Sequence, residues 1–168
     1  HGTSNRIDEL ANTLRSSTSG EFPIVLSYHD VQPLEAIEGD SPYPVAADEF
    51  ADQMAVLHAA GYRSIGVDDF LAYLGGAPAP KRSVMITFDH GPNGLWTQAD
   101  KILEREGLRG VIFVITSSVG SSSYYLDWNQ ITTMHDSGRW EFQSHSNDLH
   151  KRRPLTASGP DVAPLTNP

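Results

Sequence analysis

The chain has 168 residues, 39% of them hydrophobic and 20% charged, which suits one domain with a packed core. Its net charge of −9 argues against nucleic acid as the main partner, because phosphate binding needs a basic surface, and the one basic run, Lys151-Arg152-Arg153, is too short to reverse that. With no cysteine there are no disulfides and no thiolate ligands, so any metal must rest on histidine and carboxylate. No apolar stretch approaches the roughly 18–20 residues needed to span a bilayer.

Residues 1–21 are polar, with Ser16-Ser17-Thr18-Ser19-Gly20 reading as linker and His1-Gly2-Thr3-Ser4 lacking an initiator Met. The expectation is a linker or cloning remnant, with any export signal or anchor cut away. Phe22–Ser27 then reads as a buried strand ending at Tyr28-His29-Asp30, followed by a loop rich in proline. Asp48 is expected to cap a helix carrying Phe50, Met54 and Leu57, ended by Gly61. A brief strand at Arg63–Ile65 precedes a short helix from Asp68 with Phe70, Leu71 and Leu74 inside. Pro78 and Pro80 break the chain before a strand over Ser83–Phe88.

Trp96–Glu106 reads as a helix with Ala99, Ile102 and Leu103 inward and Gly107 at its end. Gly110–Ile115 is a strand. Asp127 and Gln130 make a capping box for a helix through Ser137, and Trp140–Ser144 is a last strand. The domain is expected over 22–155, with 156–168 an irregular tail. Five strands joined by long helical connections favour a parallel α/β sheet. A complete eight-unit barrel normally takes about 250 residues, so the expectation is a reduced barrel or the front part of a longer one.

The chemistry-bearing residues recur at the C-terminal ends of these strands: His29 after the first, Asp89 and His90 after the third, His145 after the last. Parallel β/α folds gather their sites at that edge. Three imidazoles can hold one divalent cation while a neighbouring carboxylate takes a proton from water. Asp89 and His90 cannot face the same way on a regular strand, but a turn at Gly91-Pro92 lets both reach one cavity, one toward metal and one toward water. A plain polar turn is the other reading.

His145 and His150 are five apart, too far for one helix face but close enough for a loop, with Asp148 between them to support a ring nitrogen. Two surface histidines are the alternative. His58 and His135 carry no assigned chemistry. Trp96, Tyr124, Tyr125, Trp128 and Trp140 could line a sugar groove, although packing explains each one as well. The serine-hydrolase elbow, the Walker loop and the dinucleotide fingerprint are all absent from the sequence.

At these residues the chain resembles the polysaccharide deacetylases, carbohydrate esterase family 4. The likeness is strongest to the branch that trims acetyl groups from poly-N-acetylglucosamine in biofilm export. It is carried by Ile24–Val31 (Ile-Val-Leu-Ser-Tyr-His-Asp-Val), Ile86–Gly91 (Ile-Thr-Phe-Asp-His-Gly), Arg109–Val114, Trp128–Ile131 and Phe142–His150, in order from Pro23 to His150. The resemblance implies a distorted (β/α) barrel and a divalent metal, commonly zinc, with cobalt or nickel as alternatives. It further implies Asp89 as general base, His90, His145 and His150 as ligands, and His29 near the substrate, with Tyr125 and Trp128 as further substrate contacts. An oxyanion would be held with help from a backbone N–H near Thr116 or Tyr124. The implied partner is an N-acetylated polysaccharide, met outside the cytoplasm in a secreted, surface or anchored protein.

The chain departs from the family pattern in two ways. The family carries a second Asp, a metal ligand, where this chain has His90. After His150 the Arg near the base, the acetyl pocket and the general-acid His are not found, so a fragment prone to self-association is expected. Two rival readings are a glycan- or metal-binding domain without turnover, and a deacetylase acting on chitin or peptidoglycan.

Overall fold

The computed structural model describes residues 11–12, 22–37 and 44–148, with the backbone of 153–154 and 161–162. Strand β1 (Ile24–Tyr28) leads through His29 into the short β2 (Asp30–Gln32), which pairs in parallel with β3 (Pro44–Ala46). Helix α1 (Ala47–Ala59) follows, then β4 (Arg63–Ser64) and α2 (Val67–Leu74). Next comes the long β5 (Ser83–His90). A π-turn (Leu95–Ala99) runs into α3 (Asp100–Glu106), and β6 (Gly110–Val114), α4 (Trp128–Asp136) and β7 (Trp140–Ser144) complete the alternation.

Strands β1, β5, β6 and β7 lie side by side in that order, and β4 pairs with the start of β5; every pairing is parallel. The expected parallel α/β sheet is thus observed. Alternation along the strands sorts the two faces. Val84, Ile86 and Phe88 of β5 enter the main core with Phe50, Met54, Leu57, Leu103 and Trp140. Met85 joins a smaller cluster with Ile65 and Val111 on the opposite face. Helices α1 and α3 cover the first face.

Several local expectations shift. Asp48 is not the cap of α1: Ala46 holds that position in extended backbone, and Asp48 accepts from the Glu49 N–H inside the first turn. Leu71 and Leu74 of α2 are 56% and 64% exposed rather than inside. The segment from Trp96 begins as a π-turn, with the Asp100 N–H reaching back to the Leu95 carbonyl. The Asp127/Gln130 capping box forms as expected: each side chain accepts from the other's backbone N–H, at 2.8 and 2.9 Å. Within the stretch read as an irregular tail, β9 (Asp161–Val162) pairs antiparallel with β8 (Arg153–Pro154). Ala11–Asn12, inside the stretch read as linker, is helical.

Candidate metal and substrate site

Strand parity builds the site. In β1, Ile24, Leu26 and Tyr28 pack on the main core, so His29 falls on the other face. In β5 the same parity gives Asp89 to the face of Met85 and Thr87. In β7, Trp140 and Phe142 go to the core, leaving Glu141, Gln143 and His145 opposite. Register sets His29 level with Asp89, since Tyr28 pairs with Phe88, and puts His145 two residues further along, since Asp89 pairs with Phe113 and Phe113 with Gln143. His29, Asp89 and His145 therefore leave one face of one sheet at the same end. All three are half-buried.

His90 should by alternation point to the helix face. It does not follow the alternation, because its φ is +72°, a left-handed conformation that non-glycine residues seldom adopt. Gly91, at φ +79°, continues the turn. The sequence reading set the turn at Gly91-Pro92; it begins one residue earlier, on the candidate ligand itself. The His90 ring consequently stands edge-on to both His29 and His145, with ring centroids 5.1 Å away in each case. Ser146, just after His145, is also left-handed, at φ +71°. Non-glycine residues held this way cluster at functional sites.

Backbone bonds lock the rim. The His145 N–H donates to the Val114 carbonyl, Thr116 to Ser146, and Ser117 to Asn147. The Thr116 hydroxyl also donates to Asn147 Oδ1. The Thr116 N–H donates to the Ser146 carbonyl, and the Tyr124 N–H to the Ser122 hydroxyl at 3.3 Å.

His150 lies outside the described residues, so His90 and His145 are the two expected ligands brought together. Among the described residues no three His, Asp or Glu side chains form a ready cation cluster. The donors themselves suit a borderline divalent ion such as zinc, cobalt or nickel, since imidazole binds these well. Of the aromatics, Trp140 is core, at 2% exposed; Trp128 is 59% and Tyr124 51% exposed, and Tyr125 is half-buried at an isolated bridge to Pro92.

Asp30 was missed by the sequence reading. Parity turns it inward from His29, and it is 2% exposed. Its carboxylate accepts from the Val31 N–H and from Gln32 Nε2, each at 2.8 Å. Burial pushes its carboxyl pKa up, while hydrogen bonding pulls it back down. Burial, followed by the nearby Asp30 charge, pushes the Tyr124 phenol up to about 12. Gly94 is the signal that could have shown this pocket: a methyl there would overlap Asp30 Oδ1 and the Val31 carbonyl.

Imidazoles and a carboxylate thus gather at the C-terminal edge of a parallel β/α sheet. The polysaccharide deacetylase family model matches residues 76–161, and the chain belongs to that family. Polysaccharide deacetylases as a family are metal-dependent. The chain is similar to the poly-beta-1,6-N-acetyl-D-glucosamine N-deacetylase of Staphylococcus epidermidis, at 31% identity over 112 residues, 64% of this chain and 39% of that protein. The counterpart from Staphylococcus aureus strain N315 is 30% identical over the same length and shares. The chain thus spans about two fifths of the curated relatives it matches.

Among solved structures, IcaB from Ammonifex degensii superposes with a TM-score of 0.68 at 30% identity, covering 80% of this chain and 57% of that one. A de-N-acetylase from Aggregatibacter actinomycetemcomitans gives 0.69 at 20% identity, covering 83% and 60%, and speaks for the fold alone. The fold is that of the polysaccharide deacetylase (β/α) barrel.

Proposed function

We propose that this chain is a metal-dependent hydrolase that removes N-acetyl groups from a polysaccharide containing N-acetylglucosamine. His90, His145 and His150 would hold the cation, and Asp89 would act as general base. The observation that carries this reading is the shared face and sheet edge of His29, Asp89 and His145, with His90 turned out of its alternation to join the two imidazoles. The printed activity of the staphylococcal relatives supports the substrate class. A relative's substrate of that kind also supports an extracytoplasmic site of action, in a secreted, surface or anchored protein.

When bound, a divalent cation, with zinc the first choice, supplies positive charge that polarises an acetamide carbonyl and acidifies nearby water. The protein's own groups do the rest. Asp89 takes a proton from water as the oxygen attacks the carbonyl carbon. The C–N bond then breaks, and Asp89 returns the proton to the leaving amine, releasing acetate. His29, Tyr125 and Trp128 line the approach as substrate contacts.

The test is acetate release from N-acetylglucosamine oligomers with zinc, cobalt or nickel added, alongside metal analysis. Asp89→Asn is expected to cost about 10²–10⁴ in rate; full activity in that variant overturns the base assignment. His90→Asp is expected to change the bound-metal content, and equal zinc and equal turnover would remove His90 from the ligand set.

His90 in place of the family's Asp favours a second reading, a glycan- or metal-binding domain without turnover. Oligomer binding with no acetate release under any added metal would select it.

A further inference from the structure

Ser146 stands one residue past His145 in a backbone conformation that serine disfavours, with φ at +71°. A residue of this kind persists only where its surroundings hold it. The pairing between β6 and β7 shows what those surroundings are. Up to Val114 and Ser144 the two strands keep regular parallel register, and the His145 N–H still donates to the Val114 carbonyl at 2.8 Å. A regular ladder would next place the Thr116 N–H on the His145 carbonyl. It donates to the Ser146 carbonyl instead, at 3.2 Å, and the Ser117 N–H follows on the Asn147 carbonyl at 3.0 Å. The pairing has slipped by one residue at Ser146, a bulge directly after a candidate ligand.

One bond between side chains closes this bulge: the Thr116 hydroxyl donates to Asn147 Oδ1 at 2.9 Å. The Ser146 N–H is taken up within its own strand, by the Ser144 hydroxyl at 3.1 Å. Backbone N–H groups belong to every sequence and would serve the regular register equally well. The Thr116–Asn147 bond belongs to these two side chains, so it favours the slipped register. That register matters because the His145 ring lies 5.1 Å from the His90 ring, centre to centre. Two imidazoles on one tetrahedral ion, with metal–nitrogen bonds of about 2.0–2.1 Å, place their ring centres about 5 Å apart. The pair already stands at the spacing that a shared cation requires.

We propose that Thr116 and Asn147 are positioning residues for the divalent cation: their side-chain bond fastens the bulge at Ser146 and so holds the His145 imidazole at coordinating distance from His90 before the ion arrives. Both act through His145 and neither is a ligand. Fixing a ligand in advance lowers the ordering cost of binding. This inference rests on the metal-site reading above and extends it to the loop after β6.

The experiment titrates the metal-stripped whole chain calorimetrically with zinc and, separately, with cobalt, and follows amide hydrogen exchange without metal. Thr116→Val keeps the shape and the backbone N–H but loses the hydroxyl, and should weaken both metals roughly three- to ten-fold, the worth of one hydrogen bond. Thr116→Ser keeps the donor and should restore most of the affinity. Asn147 is exposed, so Asn147→Ala keeps the fold; it should match Thr116→Val, and the double variant should be no worse than either. In both single variants the Thr116, Ser117 and His145 amides should exchange faster, while those of the buried Ile86 and Ile112 stay protected.

Metal affinity within about two-fold of wild type in Thr116→Val and Asn147→Ala overturns the positioning role and leaves the ligand reading intact. Additive losses in the double variant, or no rescue by Thr116→Ser, also overturn it. So does a loss accompanied by faster exchange at Ile86 and Ile112, which marks general destabilisation. Wild-type protein that takes up neither zinc nor cobalt overturns the ligand reading, and the positioning role falls with it.

Discussion

The two ends of the central sheet are built on opposite terms. At the N-terminal end of β7, Arg139 Nε donates to Asp100 Oδ1 at 2.9 Å, and the Trp140 indole donates to the same oxygen at 2.6 Å. The hydrogen bond it donates to Asp100 is the main cause that raises the Arg139 pKa. Trp140 packs so closely on Gly110 that a methyl there would meet its ring at 2.6 Å. Just past the other end of the same strand, His145 sits half-buried beside a left-handed Ser146 and a left-handed His90. One end matches donor to acceptor and fills space. The other holds imidazoles and carboxylates together in backbone that a sequence optimised for stability would avoid.

Substitution at the two ends should therefore separate stability from activity. Trp140→Ala removes a core indole and leaves Asp100 without one donor, and should cost about 3–5 kcal/mol in chemical unfolding. Asp89→Asn should leave the unfolding free energy within about 0.5 kcal/mol while acetate release collapses. Equal stability losses in the two variants would erase the distinction drawn between floor and rim.

His90 sharpens the comparison on a smaller scale. A β-branched residue at φ +72° is strained by about 1–2 kcal/mol, whereas glycine is not. His90→Val should unfold earlier than His90→Gly by about that amount, and His90→Gly should be no less stable than wild type while losing bound metal. If valine and glycine prove equally stable, the left-handed turn at His90 is not what the fold enforces.

Much of this architecture was legible in the chain because the strands are short apolar runs bounded by glycine and proline. Trp140–Ser144 and the Asp127 capping box were read to the residue. The strand-end rule alone puts His29, Asp89 and His145 at one edge. Three features were hidden, each for a physical reason. The π-turn at Leu95–Ala99 buries Leu95 and Ala99, as an α-helix carrying the same apolar residues could, so pattern alone cannot expose it. The turn at His90 was assigned to Gly91-Pro92 because those residues favour turning, and a histidine at positive φ leaves no mark in composition. Asp30, at the strand end Tyr28-His29-Asp30, carries no assigned role in the sequence. Only the parity of β1, continued past His29, turns it inward.

Asp30 also gives the smallest and most diagnostic effect. Its folded-state pKa lies above the ordinary carboxylate value, with burial the leading cause. An acid shifted this way favours the folded state most when protonated. Its contribution is present in full below the ordinary value of about 4 and is lost as pH rises through the raised one. Asp30→Asn removes that titration. The stability difference between wild type and Asp30→Asn, followed by urea unfolding across acidic pH, should move against wild type as pH rises from about 4. Tyr124 should add a second loss at alkaline pH, as its phenol ionises near the raised value of about 12. A difference that instead favours wild type with rising pH would mean that the fold prefers Asp30 charged. The hydrogen bonds from Val31 and Gln32 would then outweigh its burial, and the buried Asp30 would be a stabilising element of the floor's kind rather than one the rim maintains at a cost.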